Sequence, residues 1–471
     1  MGADVYDLAV IGSGPGGHAA ALTAARRGVR VCLIEREQWG GVCLNVGCIP
    51  TKALIAVSQC IRQLRGAPRL GVRVEGYALD YPAVLARNER IMTTLRRGVV
   101  DLLRRERVAL ITGHAAFEDA RHLIVTQEGS SQRLQASHVI IASGARPFCG
   151  TWTPDERHLL SYRGLLALSQ PPPSLLILGG GVIGCEFASC FAMFGTQVTV
   201  VEQQPQLLPG EDPDAVRWLA RRFEADGIAM RTGQTVARLE RAPEGGMIAT
   251  LSDGTQQRAH AVLIAIGQRP QIEALRLADA GIAHGRGVQV DAWLRTSQPH
   301  IAAIGDCVDG HGLAHWASAE GALAARTLLG DPPESLQAVE VPRCIFTDPE
   351  IAHVGPLEKD LGEAVQSSRL SFGALGKSHC DEQTEGFIKL LVDRRTNRIR
   401  GATIVGAQAS SLIHHVVTAI RHGVTAKQVA RTITAHPTWP EAITEAAAHW
   451  YGESLCASAR RAPSAAAGRS A

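Results

Sequence analysis

Apolar residues come in short unbroken runs separated by glycine turns and helical stretches. The first run, Val5 to Ile11, reads as a buried strand; Gly12-Ser13-Gly14-Pro15-Gly16-Gly17 follows, then an Ala-rich helix to about Arg27 and a second strand, Val29 to Ile34, ending on Glu35. The order recurs downstream. Leu175 to Leu178 leads into Gly179-Gly180-Gly181-Val182-Ile183-Gly184, a helix to about Phe194 and a strand, Gln197 to Val201, that ends on Glu202. Strand, glycine turn, helix, strand and acid make the βαβ pattern of a dinucleotide fold, so two such folds are predicted in one chain.

Pro171-Pro172-Pro173 reads as a stiff linker approaching the second fold, which should close near Ile264-Ala265-Ile266-Gly267. A strand from Ile301 to Ile304, ending in Gly305-Asp306, suggests a return into the first fold. After Pro332-Pro333, runs such as Gly386 to Val392 and Gly401 to Val405 alternate with helices, as in an α+β domain. From about Ala457 the composition is that of a disordered tail. The expected class is α/β, with two Rossmann-like domains and a C-terminal α+β domain. The expected divisions are 1–150, 151–270, a central return over 271–335, 336–456, and a tail over 457–471.

Composition narrows the function classes. The chain has 471 residues, 45% apolar and 20% charged, with 48 Lys and Arg against 45 Asp and Glu. No basic block tracks a phosphate backbone, so nucleic acid is not an expected partner. The first apolar run is too short for a signal peptide or a membrane span, and a cytoplasmic location is expected. Eleven scattered cysteines do not form a secreted disulfide framework.

Within the first turn, Gly12 permits the tight bend, Gly14 the approach of a pyrophosphate and Gly17 close helix packing, while Glu35 would take the ribose hydroxyls. Directly after it comes Gly40-Gly41-Val42-Cys43-Leu44-Asn45-Val46-Gly47-Cys48-Ile49-Pro50-Thr51-Lys52. A regular helix would hold residues five apart roughly 8 Å from each other, beyond the roughly 7 Å a disulfide tolerates. Bridging Cys43 and Cys48 therefore needs a distorted turn, and Gly47 and Pro50 supply the irregularity. Cys185 and Cys190 share the spacing without Gly or Pro between them, and are expected to be unbridged core thiols. His311 and His315 stand four apart, but no third ligand accompanies them, and no metal site is expected.

The segment Gly40 to Lys52 resembles the active-site signature of the dihydrolipoamide dehydrogenases, class I pyridine nucleotide-disulfide oxidoreductases, and the likeness runs from Val5 to about Glu445. It implies an FAD domain, an NAD domain and a C-terminal dimerisation domain. It also implies that Cys43 exchanges with substrate, that Cys48 faces the flavin, and that Lys52 pairs with Glu186. The implied FAD residues further include Ala115, Gly144, Asp306 and Ala314. For NAD they are Gly179, Gly181, Gly184, Glu202, Val236 and Gly267. Glu202 would repel the 2′-phosphate of NADP, and Gln203-Gln204-Pro205-Gln206 contains no cation to offset it, so NAD is the expected coenzyme. His436 and Glu441, in His-Pro-Thr-Trp-Pro-Glu, match the family's catalytic base and its orienting acid.

The implied reaction is oxidation of a protein-bound dihydrolipoyl dithiol by a homodimer, with the lipoyl group carried by a partner protein of a 2-oxoacid dehydrogenase or glycine cleavage complex. Three departures bear on the substrate mouth: Trp316 where Lys is usual, Ser411 where an acid is usual, and Trp439-Pro440 where Leu-Ser is usual. Alternatives are a mercuric reductase, a glutathione-type reductase, or a chiefly structural flavoprotein subunit. The first usually carries an adjacent cysteine pair near the C-terminus, where this chain has Cys456 alone.

Overall fold

The computed structural model describes residues 4–308, 310 and 312–458. The fold begins with β1 (Asp4–Ile11), α1 (Pro15–Ala25) and β2 (Val31–Glu35), the three pieces of the first βαβ unit. Its sheet runs in the order Ala109–Thr112, β2, β1, Ser130–Ile141, all parallel. Every residue of β2 is buried, which is why it reads as a continuous apolar run instead of an alternating one. Ser130–Ile141 pairs antiparallel with His122–Gln127 through its first half, and in parallel with Ile301–Ala303 through Val139–Ile141. The chain therefore rejoins its first sheet late in the sequence.

A second, wholly parallel sheet has the order Ala229–Thr232, Gln197–Glu202, Ser174–Leu178, Ala261–Ile264, Leu159–Leu160. A three-stranded antiparallel sheet, Val236–Arg241, Met247–Leu251 and Gln256–Ala259, packs Met247, Ala249 and Leu251 against it. Pro171-Pro172-Pro173, expected as a linker toward this unit, lies inside it. Leu159–Leu160 has already joined the sheet, and the Pro173 carbonyl accepts the Gln197 N–H at 3.0 Å. Where the chain leaves and re-enters the first unit, Ala145–Pro147 pairs antiparallel with Gln268–Pro270.

The C-terminal unit is a five-stranded antiparallel sheet, Arg343–Ile345, Ile351–Val354, Ile399–Gly406, Gly386–Asp393, Val365–Ser371, with the helices Ala409–Arg421 and Glu441–Trp450 packed on it. Of the segment expected as a tail, only Ala457 and Ser458 fall among the described residues.

Between β2 and Ala109 lie α2 (Gly41–Asn45), α3 (Cys48–Gly66) and α4 (Tyr81–Arg105). The stretch Gly41–Leu70 is long and apolar enough to cross a membrane. In the fold its apolar side is core: Leu54 and Ile55 cluster with Tyr81 and Val84 of α4 and with Phe187 and Phe191 of Val182–Met193. Its polar side enters ion pairs, Arg62 with Asp226 at 2.5 Å and Lys52 with Glu186 at 2.8 Å.

Candidate active site

The two glycine turns repeat one design. Gly12 (φ +101°) and Gly179 (φ +105°) sit so close to the neighbouring strand that a Cβ would fall 2.3 Å from the Ala142 carbonyl oxygen and 2.4 Å from that of Ala265. Gly17 and Gly184 press their helices onto the turns, where a Cβ would lie 1.8 and 2.0 Å from the carbonyl oxygens of Gly12 and Gly179. Gly14 and Gly181 cap the helices in extended conformation, and a Cβ on either would meet nothing within 4 Å, which leaves their backbone open to a ligand. Free N–H groups at such a helix start favour an anion.

Both ribose candidates are bound into their own turns. Glu35 accepts the Ser13 N–H (2.9 Å) and hydroxyl (2.6 Å) on one oxygen and the N–H groups of Arg36 and Glu37 (2.9 Å each) on the other. A carboxylate offers about four acceptor positions, so a ribose hydroxyl at Glu35 must displace or share one of these donors. Among the described residues the Glu202 carboxylate accepts only the Gly180 and Gln204 N–H groups, at 2.7 and 2.8 Å, and keeps acceptor capacity. Gly179, Glu202 and Gly267 all lie at or just past the carboxyl ends of parallel strands of the second sheet, where open α/β sheets bind ligands. Val236 is half-buried and begins the adjoining antiparallel sheet.

Cys43 and Cys48 come together because the helix breaks between them. Cys43 lies in α2, Val46 and Gly47 leave helical geometry, and Cys48 opens α3. A Cβ on Gly47 would stand 3.0 Å from the Val42 carbonyl oxygen, so a side chain there would push the two helices apart. Pro50 is not part of the break: it sits in the first turn of α3, where its missing N–H is not needed. Cys185 and Cys190, with the same spacing, lie on one unbroken helix, fully buried, and burial pushes both thiols up.

The Cys43 and Cys48 thiols share a hydrogen bond that lowers Cys48, to about 7, and raises Cys43. Burial opposes the lowering of Cys48, while the Lys52 ammonium and the N–H at the start of α3 reinforce it. Lys52 Nζ is held by both Glu186 oxygens, at 3.0 and 2.8 Å, and lies 4.6 Å from the centre of the Phe346 ring. Glu186 also accepts the Phe346 N–H at 3.0 Å. Three units of the fold thus meet at one cation beside Cys48.

All of this faces a cleft of about 1360 Å³. It runs from Gly12, Gly14 and Glu35 past Ala115, Gly144, Asp306 and Ala314 to Cys43, Cys48, Lys52 and Glu186. Typical small-molecule pockets measure roughly 300–1,000 Å³, so the cleft suits an extended dinucleotide. Asp306 lines it with no hydrogen bond to any described residue, and burial alone pushes its carboxyl up. An orphaned carboxylate and an open glycine turn that line one cleft fit a ligand carrying both hydroxyls and phosphates, such as FAD. Gly17 and the six residues assigned to NAD do not line this cleft. Cys344, Phe346, Ser410 and His414 do, from the C-terminal unit, and no local motif marks them in the sequence.

His436 and Glu441 form a pair, Nδ1 to Oε1 at 2.8 Å, and Glu441 also accepts the Thr438 N–H at 2.7 Å. Burial works against ionisation of Glu441, but these two donors outweigh it and hold its carboxyl below the usual range. The His436 side chain is 75% exposed and does not line its own chain's cleft. His315 Nε2 donates to the Pro342 carbonyl at 2.9 Å, and His311 lies outside the described residues.

The three departures differ in their surroundings. Trp439 is 3% exposed and packs in the C-terminal core, and Trp316 is hydrogen-bonded to the buried Glu320, which also accepts the Gly305 N–H at 2.6 Å. Ser411 is exposed on the helix Ala409–Arg421.

The chain is 37% identical over 451 residues to the dihydrolipoyl dehydrogenase of Chlorobaculum parvum, covering 94% of this chain and 96% of that one. It is 34% identical over 446 residues to that of Bacillus subtilis, covering 93% and 97%. Among solved structures, LpdA from Mycobacterium tuberculosis superposes with a TM-score of 0.90 at 29% identity, over 95% of this chain and 99% of that one. The HOCl-induced flavoprotein disulfide reductase RclA from Escherichia coli, solved as a Cu(II) complex, gives 0.86 at 28%, over 95% and 99%. Residues 6–321 match the pyridine nucleotide-disulphide oxidoreductase model and residues 341–447 its dimerisation domain. The chain belongs to the pyridine nucleotide-disulphide oxidoreductase family.

Proposed function

We propose that the enzyme oxidises a dihydrolipoyl dithiol to the disulfide with NAD as acceptor. The observation that carries this reading is the Cys43–Cys48 pair at the start of α3, beside Lys52, in a cleft that fits FAD. FAD bound there supplies a two-electron carrier between the cysteine pair and the coenzyme. The site residues then divide the work. Cys43, the thiol whose proton is retained, exchanges with substrate sulfur; Cys48, the lower of the two, is the flavin-side thiolate that Lys52 stabilises. Glu186 fixes the position of that cation.

The dimerisation domain makes the enzyme a homodimer. His436, exposed and outside its own cleft, serves the cysteines of the other subunit, which a two-fold contact allows reciprocally. It takes the proton that substrate thiol loses on exchange, and Glu441 holds its tautomer. Glu202 selects NAD. The dithiol is presented by a lipoyl-bearing protein of a 2-oxoacid dehydrogenase or glycine cleavage complex, in the cytoplasm.

Steady-state turnover with NAD and dihydrolipoamide, beside NADPH with glutathione disulfide and NADPH with mercuric ion, tests the reading. The first pair should exceed the others by orders of magnitude. Preference for either of the others overturns it.

A further inference from the structure

We propose that the hydrogen bond from the Trp439 indole to Asp381 is the contact that positions the His436–Glu441 pair, making Trp439 and Asp381 positioning residues for the thiol half of the reaction. The inference rests on the function proposed above. His436 is held by Glu441 and otherwise largely exposed, so its place depends on the turn that carries both. That turn is closed locally by the Thr438 N–H to Glu441 and by the Thr438 hydroxyl to the Ala435 carbonyl, at 2.6 Å. Neither bond ties it to the rest of the fold.

Trp439 does. Its ring is buried against Phe372, centroids 5.3 Å apart, and its indole N–H donates to Asp381 Oδ2 at 3.2 Å. Its carbonyl accepts the Ala442 N–H at 3.1 Å, in the first turn of the helix that begins with Glu441. Asp381 is itself on a firm base. It follows the helix Gly376–Cys380, whose Ser378 hydroxyl bonds the Phe372 and Leu375 carbonyls, and Lys377 reaches Asp381 Oδ1 at 2.8 Å. Gly376, at the start of the same helix, lies under the His436 ring: a Cβ there would be 3.9 Å from Cε1. One short segment therefore runs beside the imidazole and holds the indole. Leu, usual at position 439, could fill the core but could not donate this bond. The indole adds a directional constraint to a packing one.

The test compares Trp439→Phe, Asp381→Ala, Asp381→Asn, Lys377→Met and His436→Gln in the FAD-loaded dimer. Loss of one hydrogen bond that orders a catalytic group should lower dithiol turnover roughly three- to tenfold in Trp439→Phe and Asp381→Ala. NADH-to-ferricyanide turnover and FAD retention should stay at wild-type levels. Asp381→Asn keeps an oxygen acceptor and should restore the dithiol rate; Lys377→Met removes one hold on Asp381 and should lower the rate by less than Asp381→Ala does. A merely structural role would depress both half-reactions together and would not be rescued by Asn. If Trp439→Phe and Asp381→Ala turn dithiol over at the wild-type rate while His436→Gln is impaired, this inference is overturned and the proposed function stands. If His436→Gln is itself unimpaired, both fall.

Discussion

Lys52→Met leaves α3 and the side-chain stem in place, removes one ammonium, and has a consequence for Cys48 whose sign and size can be worked out. Cys48 lies at about 7 because the Cys43 thiol donates to it and because Lys52 favours the anion, against burial and the Glu186 carboxylate. Unit charges roughly 5 Å apart interact by about 3 kcal/mol at an effective dielectric of about 20. Lys52 is 33% exposed, so screening cuts this to about half, or about one pKa unit. Removing the ammonium also leaves Glu186 uncompensated, which pushes Cys48 in the same direction. Cys48 should then titrate at about 8 or above, and its thiolate fraction at pH 7 should fall from about one half to about one tenth. Stability should drop by about 3 kcal/mol, since Glu186 is 4% exposed and loses its cation. The assay is alkylation of the reduced protein by iodoacetamide from pH 5 to 10, with Cys48 followed by peptide mass spectrometry. Lys52→Arg should titrate near wild type. Equal midpoints for wild type and Lys52→Met would refute the reasoning.

Glu202→Ala combined with Gln203→Arg should raise kcat/KM for NADP relative to NAD by about tenfold, because a repelling charge is removed and a phosphate partner added; a wild-type preference for NADP would show the strand was misread. Burial, with help from the Arg343 charge, lowers His353 from 6.5 to about 4. The unfolded chain therefore takes up this proton first as pH falls: stability is complete above about 6.5, is lost down through about 4, and at pH 5 is reduced by about 2 kcal/mol. His353→Gln should remove that part of the slope in urea melts at pH 7.5 and 5; an unchanged slope would exclude the linkage. A mixed dimer of a Cys48→Ser chain with a His436→Gln chain has one site with both lesions and one with neither, and should recover up to about half of wild-type activity. No recovery in proven mixed dimers would place the base in the same chain as the cysteines.

Features that act through the backbone were the most legible in the sequence. Each glycine turn needs a residue without a side chain at its first and last offsets, where a Cβ would strike a carbonyl oxygen, and keeps the middle one open for a ligand, so Gly12, Gly14 and Gly17 and their counterparts Gly179, Gly181 and Gly184 announce the fold locally. Gly47 likewise marked the break that joins Cys43 to Cys48, although Pro50 contributes nothing to it. Side-chain surroundings assembled from distant segments were not legible. Phe346 and Cys344 enter the cleft from the C-terminal unit because Glu186 accepts the Phe346 N–H, a contact between positions 160 apart. The surroundings of Trp439 were hidden for a related reason. A family position changed to a large aromatic suggests a reshaped mouth, whereas burial against Phe372 and a bond to Asp381 are decided by the sheet beneath it.

On the function proposed above, electrons pass between a dithiol and NAD through Cys43 and Cys48. Dihydrolipoamide–NAD turnover and NADH–ferricyanide turnover, measured side by side in wild type, Cys43→Ser and Cys48→Ser, test that route. Each substitution should abolish dithiol turnover, by roughly a thousandfold or more, while ferricyanide reduction persists because it bypasses the cysteines. Dithiol oxidation at near wild-type rate in either variant would contradict the account.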